Sequence, residues 1–551
     1  IRSVRVVDPV VPALPAVLPE FAASNNWAVS PWKSATGTAL ECHDPHLACN
    51  RLPAVWYEVI LHTADDYQIG VTVPGVPGLI MGRTLNVSAG FTYGFMDMID
   101  YFVEECRAGK YRREDAFHDF RVRRETIRRK KHPPVEVAVF ENEYGTLEKE
   151  LRDETLPDGR YLCRAFSAMA AGTTAKSLHA LATWTQAKSV MEAQQILREV
   201  SISCNWVLAD RAGNIGYQQS GPLPARAHSG LYPVPGWQRA RAWNGIVPSE
   251  QLASILNPPE GFIATANDDR NQAGKPLSIN ACQGPYRAER IAELLAAKEK
   301  LTVGDMQQMQ ADLVSTQAGR FMEHLRPLAP ETIAGKSFRR WDLRYDAQST
   351  EASRFEEFYS RLLRRVFGAG LFGEETWDRI VAGTALPDIY FHYFDRVVLN
   401  QPPECSSAWF GGQTREALLR EILHGSFENG GGAITPWGER RPIVMRNLLV
   451  GGKLPHWLNR ILQVDYGPIP LPGNRATLVQ GAIFHDHGRL STFAPSYRFV
   501  TDLGTDVAHT ALAGGPSERV FSPFYKADIE RWLSHGYKTL PAIADGLDGV
   551  R

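Results

Sequence analysis

Four side chains with nitrogen or sulfur donors fall within eight positions of this sequence: Cys42, His43, His46 and Cys49, in "ECHDPHLAC". Such residues can hold zinc, but zinc sites space their ligands in patterns that this stretch does not follow. Asp44-Pro45 in its middle predicts a turn, so the residues read as a strand that ends there, with one histidine facing a pocket. In "FHDHG", His485 and His487 alternate as they would along a surface hairpin. The other chemistry open to the chain is nucleophilic. No G-x-S-x-G elbow occurs, and "NVSAGF" (Asn86 to Phe91) lacks the leading glycine. A P-loop and a G-x-G-x-x-G are also absent. Ser24, in "EFAASNNWAVS", belongs to none of these motifs, and a serine hydroxyl is a poor nucleophile unless a base touches it.

The elements that would position these residues are of two kinds. From Trp27 onward the chain is β-like: "WAVS", "TALEC", "WYEVILHT" and "YQIGVTV" are short runs of β-branched and aromatic residues between Gly, Pro, Asn and Asp. Further runs stand at Phe120–Val122, Val135–Phe140, Trp206–Ala209 and Gly261–Thr265. "LADRAGNIGYQQ" predicts a hairpin turning at Arg211–Asn214. Helical spacing follows: Ile291, Leu294 and Leu295 share a face, as do Phe355, Phe358, Leu362 and Val366. Thr302 and Asp305 have capping-box spacing. The expected fold is α+β, a sheet-rich core built from both ends of the chain with a more helical region around 300–425. The basic run "RVRRETIRRKKH" predicts a solvated edge strand.

Bulk composition excludes several classes. With 551 residues, 60 basic against 61 acidic side chains and 44% hydrophobic content, the chain reads as globular, without the charge that nucleic acid or anionic membranes require. No apolar run is long enough to span a bilayer. Pro9, Pro12, Pro15 and Pro19 interrupt the apolar N-terminus, so it does not read as a signal peptide. A start at Ile1 suggests a piece of a longer precursor. Seven cysteines without regular spacing do not form a disulfide framework.

Six stretches, in order along about 500 residues, resemble the penicillin acylase family of N-terminal-nucleophile hydrolases. They are "SNNWAVSPWKSATGTALECHDPHL", "VPGLIMGRTLNVSAGFTYGFMDMIDYF", "CNWVLADRAGNIGYQQSGPLPAR", "NPPEGFIATANDD" with "GPYRAERIAELL", "APSYRFVTDLG" and "GGPSERVFSPFYKADIERW". The resemblance implies a four-layer αββα fold. Residues 1–23 would be the end of a spacer and 24–551 the large catalytic chain, exposed when the precursor cleaves itself at Ala23–Ser24. Ser24 would then carry a free α-amine, whose unperturbed pKa of roughly 7.7–8.0 suits a general base near neutral pH.

The same resemblance assigns further roles. The Asn267 amide and the Tyr93 backbone N–H would bind the oxyanion. Arg287 would sit near the amine and the asparagine, and His46 would contact the nucleophile through its backbone or ring. Leu47, Trp56, Met81 and Phe91 would line the acyl pocket. Arg83 stands three residues beyond Ile80, where dicarboxylyl-accepting members carry an arginine, and would read an acyl carboxylate. Asp97, Asp100 and the carbonyls of Ile99 and Pro224 would hold a structural Ca2+, although a further family aspartate has no counterpart near Leu277–Ser278. Implied partners are a small α subunit from the same precursor and an N-acyl substrate, in a periplasmic or secreted setting, with no cofactor for catalysis. The acyl group stays open between aryl-acetyl or aliphatic groups, an acyl-homoserine lactone and a succinyl-type amide. A non-catalytic periplasmic binding relative is the alternative from another class.

Overall fold

A computed structural model describes residues 23–62, 66–76, 78–153, 155–170, 172–271, 282–383, 386–402, 406–428, 434–486 and 489–542. His487, Leu277–Ser278 and all but the last residue of the spacer segment lie outside these. His485 falls in the strand Ala482–Asp486, its side chain not among those described.

Two antiparallel sheets stack face to face. The first runs Phe262–Thr265, Ala23–Val29, Leu40–Ala48, Tyr497–Asp502, Val507–Leu512 and Lys538–Pro541, and so joins both ends of the chain. The second runs Ser254–Leu256, Ile215–Ser220, Cys204–Asp210, Val87–Tyr93, Met81–Thr84, Tyr67–Thr72 and Tyr57–His62. The period of two along each strand decides what goes where. Ala28, Ile263 and Leu503 meet Val207, Ala209, Ile215 and Tyr217 between the sheets. The alternate residues Trp27, Val29, Leu40 and Cys42 face outward, under Ile291, Leu295, Met306 and Met309. Those four side chains come from the helices Tyr286–Ala296 and Val303–Gln310. On the far side, Val87, Ala89, Trp206 and Leu208 are covered by Ala180, Leu181, Val190, Ala193 and Leu197. These belong to the helices Thr173–Thr183 and Val190–Leu197. The layer order is therefore helix, sheet, sheet, helix.

Thr302 and Asp305 form the expected capping box, satisfying each other's backbone N–H at the start of Val303–Gln310. Between residues 303 and 428, helices close around Phe321, Phe355, Phe358, Leu362 and Val366, all fully buried. The predicted hairpin pairs Cys204–Asp210 with Ile215–Ser220, and Gly213 takes the φ of +96° in its turn. A third sheet ends on the strand Arg121–Arg129, every residue of which is exposed.

Asp44-Pro45 makes no turn, contrary to expectation: the strand Leu40–Ala48 runs straight through it. Proline costs a strand only the hydrogen bond its nitrogen would have donated. Here a serine takes up the Pro45 carbonyl on the same side, and that local defect shapes the site.

Candidate active site

Ser24 lies opposite Pro45 in the first sheet. The Pro45 carbonyl accepts the Ser496 N–H at 2.8 Å and the Ser496 hydroxyl at 2.5 Å, so its polar side faces away from Ser24. In such a non-bonded antiparallel pair, both residues turn their N–H and C=O outward. Ser24 therefore presents its main chain to the opposite edge. The strand there, Phe262–Thr265, pairs with Asn26–Val29 and stops where Asn267 would have come opposite Ser24. Asn267 is left-handed, at φ +67°, which ends the ladder. Side chains replace the missing strand. The Ser24 N–H donates to Asn267 Oδ1 at 2.7 Å, and Arg287 Nη1 donates to the Ser24 carbonyl at 2.8 Å.

Asn267 connects three partners. Its Oδ1 also accepts from Arg287 Nη2 at 2.9 Å, while Nδ2 donates to the Tyr93 carbonyl at 2.9 Å. Only one orientation of the amide satisfies all of them. The Gly94 N–H binds the Ser203 carbonyl at 2.9 Å, which makes the adjacent Tyr93–Cys204 pair the non-bonded kind. Tyr93 consequently turns its N–H, like its C=O, toward Asn267.

Arg287 is buried and donates to five oxygens: Ser24 O, Asn267 Oδ1, Asn25 Oδ1 at 2.7 Å, Ala266 O at 2.8 Å and Gln283 Oε1 at 2.7 Å. None is a carboxylate. Burial lowers its pKa to about 10, partly opposed by Asp268 and Asp44, so it remains a cation at neutral pH. Its helix is anchored one residue earlier, where the Tyr286 hydroxyl donates at 2.7 Å to the buried Asp395. That carboxylate also accepts from Tyr359 at 2.6 Å, and burial raises its pKa to about 6.

The chain is continuous through Ala23–Ser24, and the Ser24 hydroxyl donates to the Ala23 carbonyl at 2.5 Å. Ser24 and Ala28 share the face between the sheets. Asn25 and His46 point to the helix side, so the ring of His46 does not reach the nucleophile as expected. It lies 3.1 Å from Asp44 Oδ2 and 3.1 Å from Gln480 Oε1, and burial lowers its pKa. Gln283 and Gln480 belong to none of the sequence motifs, Asn25 carries no role in the one that holds it, and Asp44 reads there only as a turn residue. The signal for Gln283 was its place four residues before Arg287.

Leu47, Trp56, Met81 and Phe91 do border one apolar cluster, shared with Ile69, Val71, Tyr497 and Phe499. Phe91 also rests on Trp206, with ring centroids 4.7 Å apart. Arg83 departs from expectation. Its Nη1 is spent on Thr501 Oγ1 (2.7 Å) and the carbonyls of Asp502 (3.1 Å) and Thr505 (2.8 Å), holding a turn of the first sheet. The six described cysteines are free and buried, and His43 stacks on Phe499 at 4.4 Å. No group of three or more potential ligands that could hold a metal occurs among the described residues. The expected Ca2+ ligands do not form an oxygen cage: the guanidinium of Arg226 lies between Asp97 (3.2 Å) and Asp100 (2.6 Å). No described helix is long and apolar enough to cross a membrane.

Comparison with known proteins gives this geometry a context. Penicillin acylase 2 proenzyme of Pseudomonas sp. (strain SE83) is 27% identical over 537 residues, covering 92% of this chain and 66% of that protein. Acyl-homoserine lactone acylase QuiP of Pseudomonas fluorescens (strain Pf0-1) is 28% identical over 564 residues, covering 96% and 66% respectively. The chain thus spans just under two thirds of the length of these relatives. A solved structure, the thermostable penicillin G acylase from Alcaligenes faecalis, superposes with a TM-score of 0.72 at 19% identity, covering 94% of this chain and 96% of that one. It shares the α+β fold. The family model described as penicillin amidase matches residues 4–547, and the chain belongs to that family.

Proposed function

We propose that this chain is the nucleophile-bearing part of an N-acyl amide hydrolase, with Ser24 exposed as an N-terminus by cleavage of Ala23–Ser24. One observation carries the reading: the Ser24 nitrogen is already held on Asn267, beside the donors an oxyanion needs. In cleavage, Ser24 Oγ attacks the Ala23 carbonyl, the peptide C–N bond breaks as the nitrogen takes a proton, and water hydrolyses the resulting ester. The freed amine then serves as base. It accepts the hydroxyl proton, directly or through a water, as Oγ attacks a substrate amide. Asn267 Nδ2 and the Tyr93 N–H stabilise the oxyanion, the substrate amine leaves with a proton, and water releases the acid from acyl-Ser24. The Arg287 cation next to the nitrogen favours its neutral, basic form. A small chain from the same precursor completes the enzyme, in keeping with the proenzyme name of one relative.

The acyl group is apolar on this reading, because Leu47, Trp56, Met81 and Phe91 pack into a hydrophobic cluster while Arg83 turns Nε and Nη1 to Thr84, Thr501, Asp502 and Thr505. The names of the relatives, penicillin acylase and acyl-homoserine lactone acylase, favour acyl amides of this kind. The test is a set of matched amides, phenylacetyl, octanoyl and succinyl on one amine, together with N-octanoyl homoserine lactone. The cleaved protein is expected to release phenylacetate or octanoate and little succinate. Release of no acid from any of them would support a non-catalytic binding protein instead.

A further inference from the structure

Asp97 and Asp100 begin four residues after Tyr93, at the head of the strand Ile99–Arg107. The resemblance places a Ca2+ between them, and the side chain found there is Arg226. Its Nη1 donates to Asp100 Oδ2 at 2.6 Å, and its Nη2 donates to the Asp97 carbonyl at 2.7 Å and lies 3.2 Å from Asp97 Oδ2. Trp243 Nε1 donates to the same Asp100 oxygen at 2.5 Å. The side chains of Arg226 and Asp100 are 2% and 1% exposed. The loop is shaped to close over this pair. Gly230 is left-handed at φ +78°, and a Cβ there would stand 2.2 Å from Asp97 Oδ2 and 3.0 Å from the guanidinium carbon.

We propose that Arg226 is a built-in cation that takes the place of a divalent metal at Asp97–Asp100, so that this protein holds the segment after Tyr93 without calcium. Three observations converge on this. A Ca2+ requires six to eight oxygens. Two carboxylates are at hand: Asp97 Oδ2 and Asp100 Oδ2 already face nitrogen donors, Asp97 Oδ1 accepts the Ile99 N–H at 3.4 Å, and Asp100 Oδ1 is an acceptor without a described partner. The position expected to bring another carboxylate reads Leu277–Ser278. A metal entering here would have to expel the guanidinium or sit beside a buried positive charge, and either is unfavourable. Arg226 ties the strand head to the loop carrying Pro224 and Trp243, while Met96, Met98, Leu223 and Leu252 pack the same junction. Its role is positional and independent of the reaction proposed above.

The experiment combines metal analysis and thermal unfolding of the full chain, wild type beside R226A, in EDTA and in CaCl2. Wild type is expected to carry no calcium and to show the same Tm in both buffers. R226A empties a guanidinium-sized space between two carboxylates. Its Tm is expected to fall in EDTA and to recover in part with calcium, a recovery abolished in R226A/D100N. One calcium per wild-type chain, or a wild-type Tm lowered by EDTA, would overturn the proposal. So would a folded R226A that keeps the wild-type Tm or does not respond to calcium. If R226A fails to fold, the wild-type measurements decide alone.

Discussion

Replacing Asn267 with glycine is expected to lower the kcat of the cleaved protein by roughly 10²–10³-fold, the usual cost of losing an oxyanion donor. Glycine is the informative substitution because Asn267 is held at φ +67°. Alanine would add strain in that conformation, whereas glycine adopts it freely and removes only the amide. The Tm should therefore change much less than the rate. A fall in Tm with kcat preserved would show that Asn267 serves only to close the sheet edge where Phe262–Thr265 stops. Steady-state kinetics alongside thermal unfolding distinguish the two.

Arg287 has the larger structural stake. R287M leaves five buried oxygens without their donor, at about 1–3 kcal/mol for each group left unsatisfied, so it is expected to destabilise the protein severely. R287K separates charge from geometry. The ammonium keeps the cation, but its donors spread from one nitrogen and cannot reach both the Ser24 and the Ala266 carbonyls as a planar fork does. It is expected to fold and to lose on the order of 10²-fold in kcat, as the nitrogen of Ser24 and the amide of Asn267 shift against each other. Wild-type turnover in R287K would mean that charge alone suffices. Denaturant unfolding and kcat measured on the same preparations give the answer.

Legibility in the sequence followed the range of the interaction. The hairpin around Gly213 and the capping box of Thr302 and Asp305 are local, and both are present as expected. The helix face of Phe355, Phe358, Leu362 and Val366 is likewise written in spacing and is fully buried. Ser24 and Asn267 are 243 positions apart, and no periodicity links them. Ordered resemblance along the chain grouped them with Tyr93 and Arg287, and the fold brings these four into one hydrogen-bonded set. Misreadings arose where a residue's usual habit is overruled by tertiary contacts. Pro45 reads as a turn but occupies a strand position whose polar side is met by Ser496. Arg83 reads as a charge poised for an acyl carboxylate. It is instead buried among carbonyls that another part of the chain supplies. His46 followed the motif but stands on the opposite face of the sheet from Ser24, a difference of one residue in register that spacing alone does not reveal.

The central claim is that the Ser24 hydroxyl breaks the bond before it and that its nitrogen then works as a free amine. Intact-mass analysis of the full chain, wild type beside S24A, tests this most directly. The account predicts that wild type splits between Ala23 and Ser24, leaving a large fragment that begins at Ser24, while S24A keeps the unbroken mass. Equal masses for the two proteins, or a cut that persists in S24A, would contradict it.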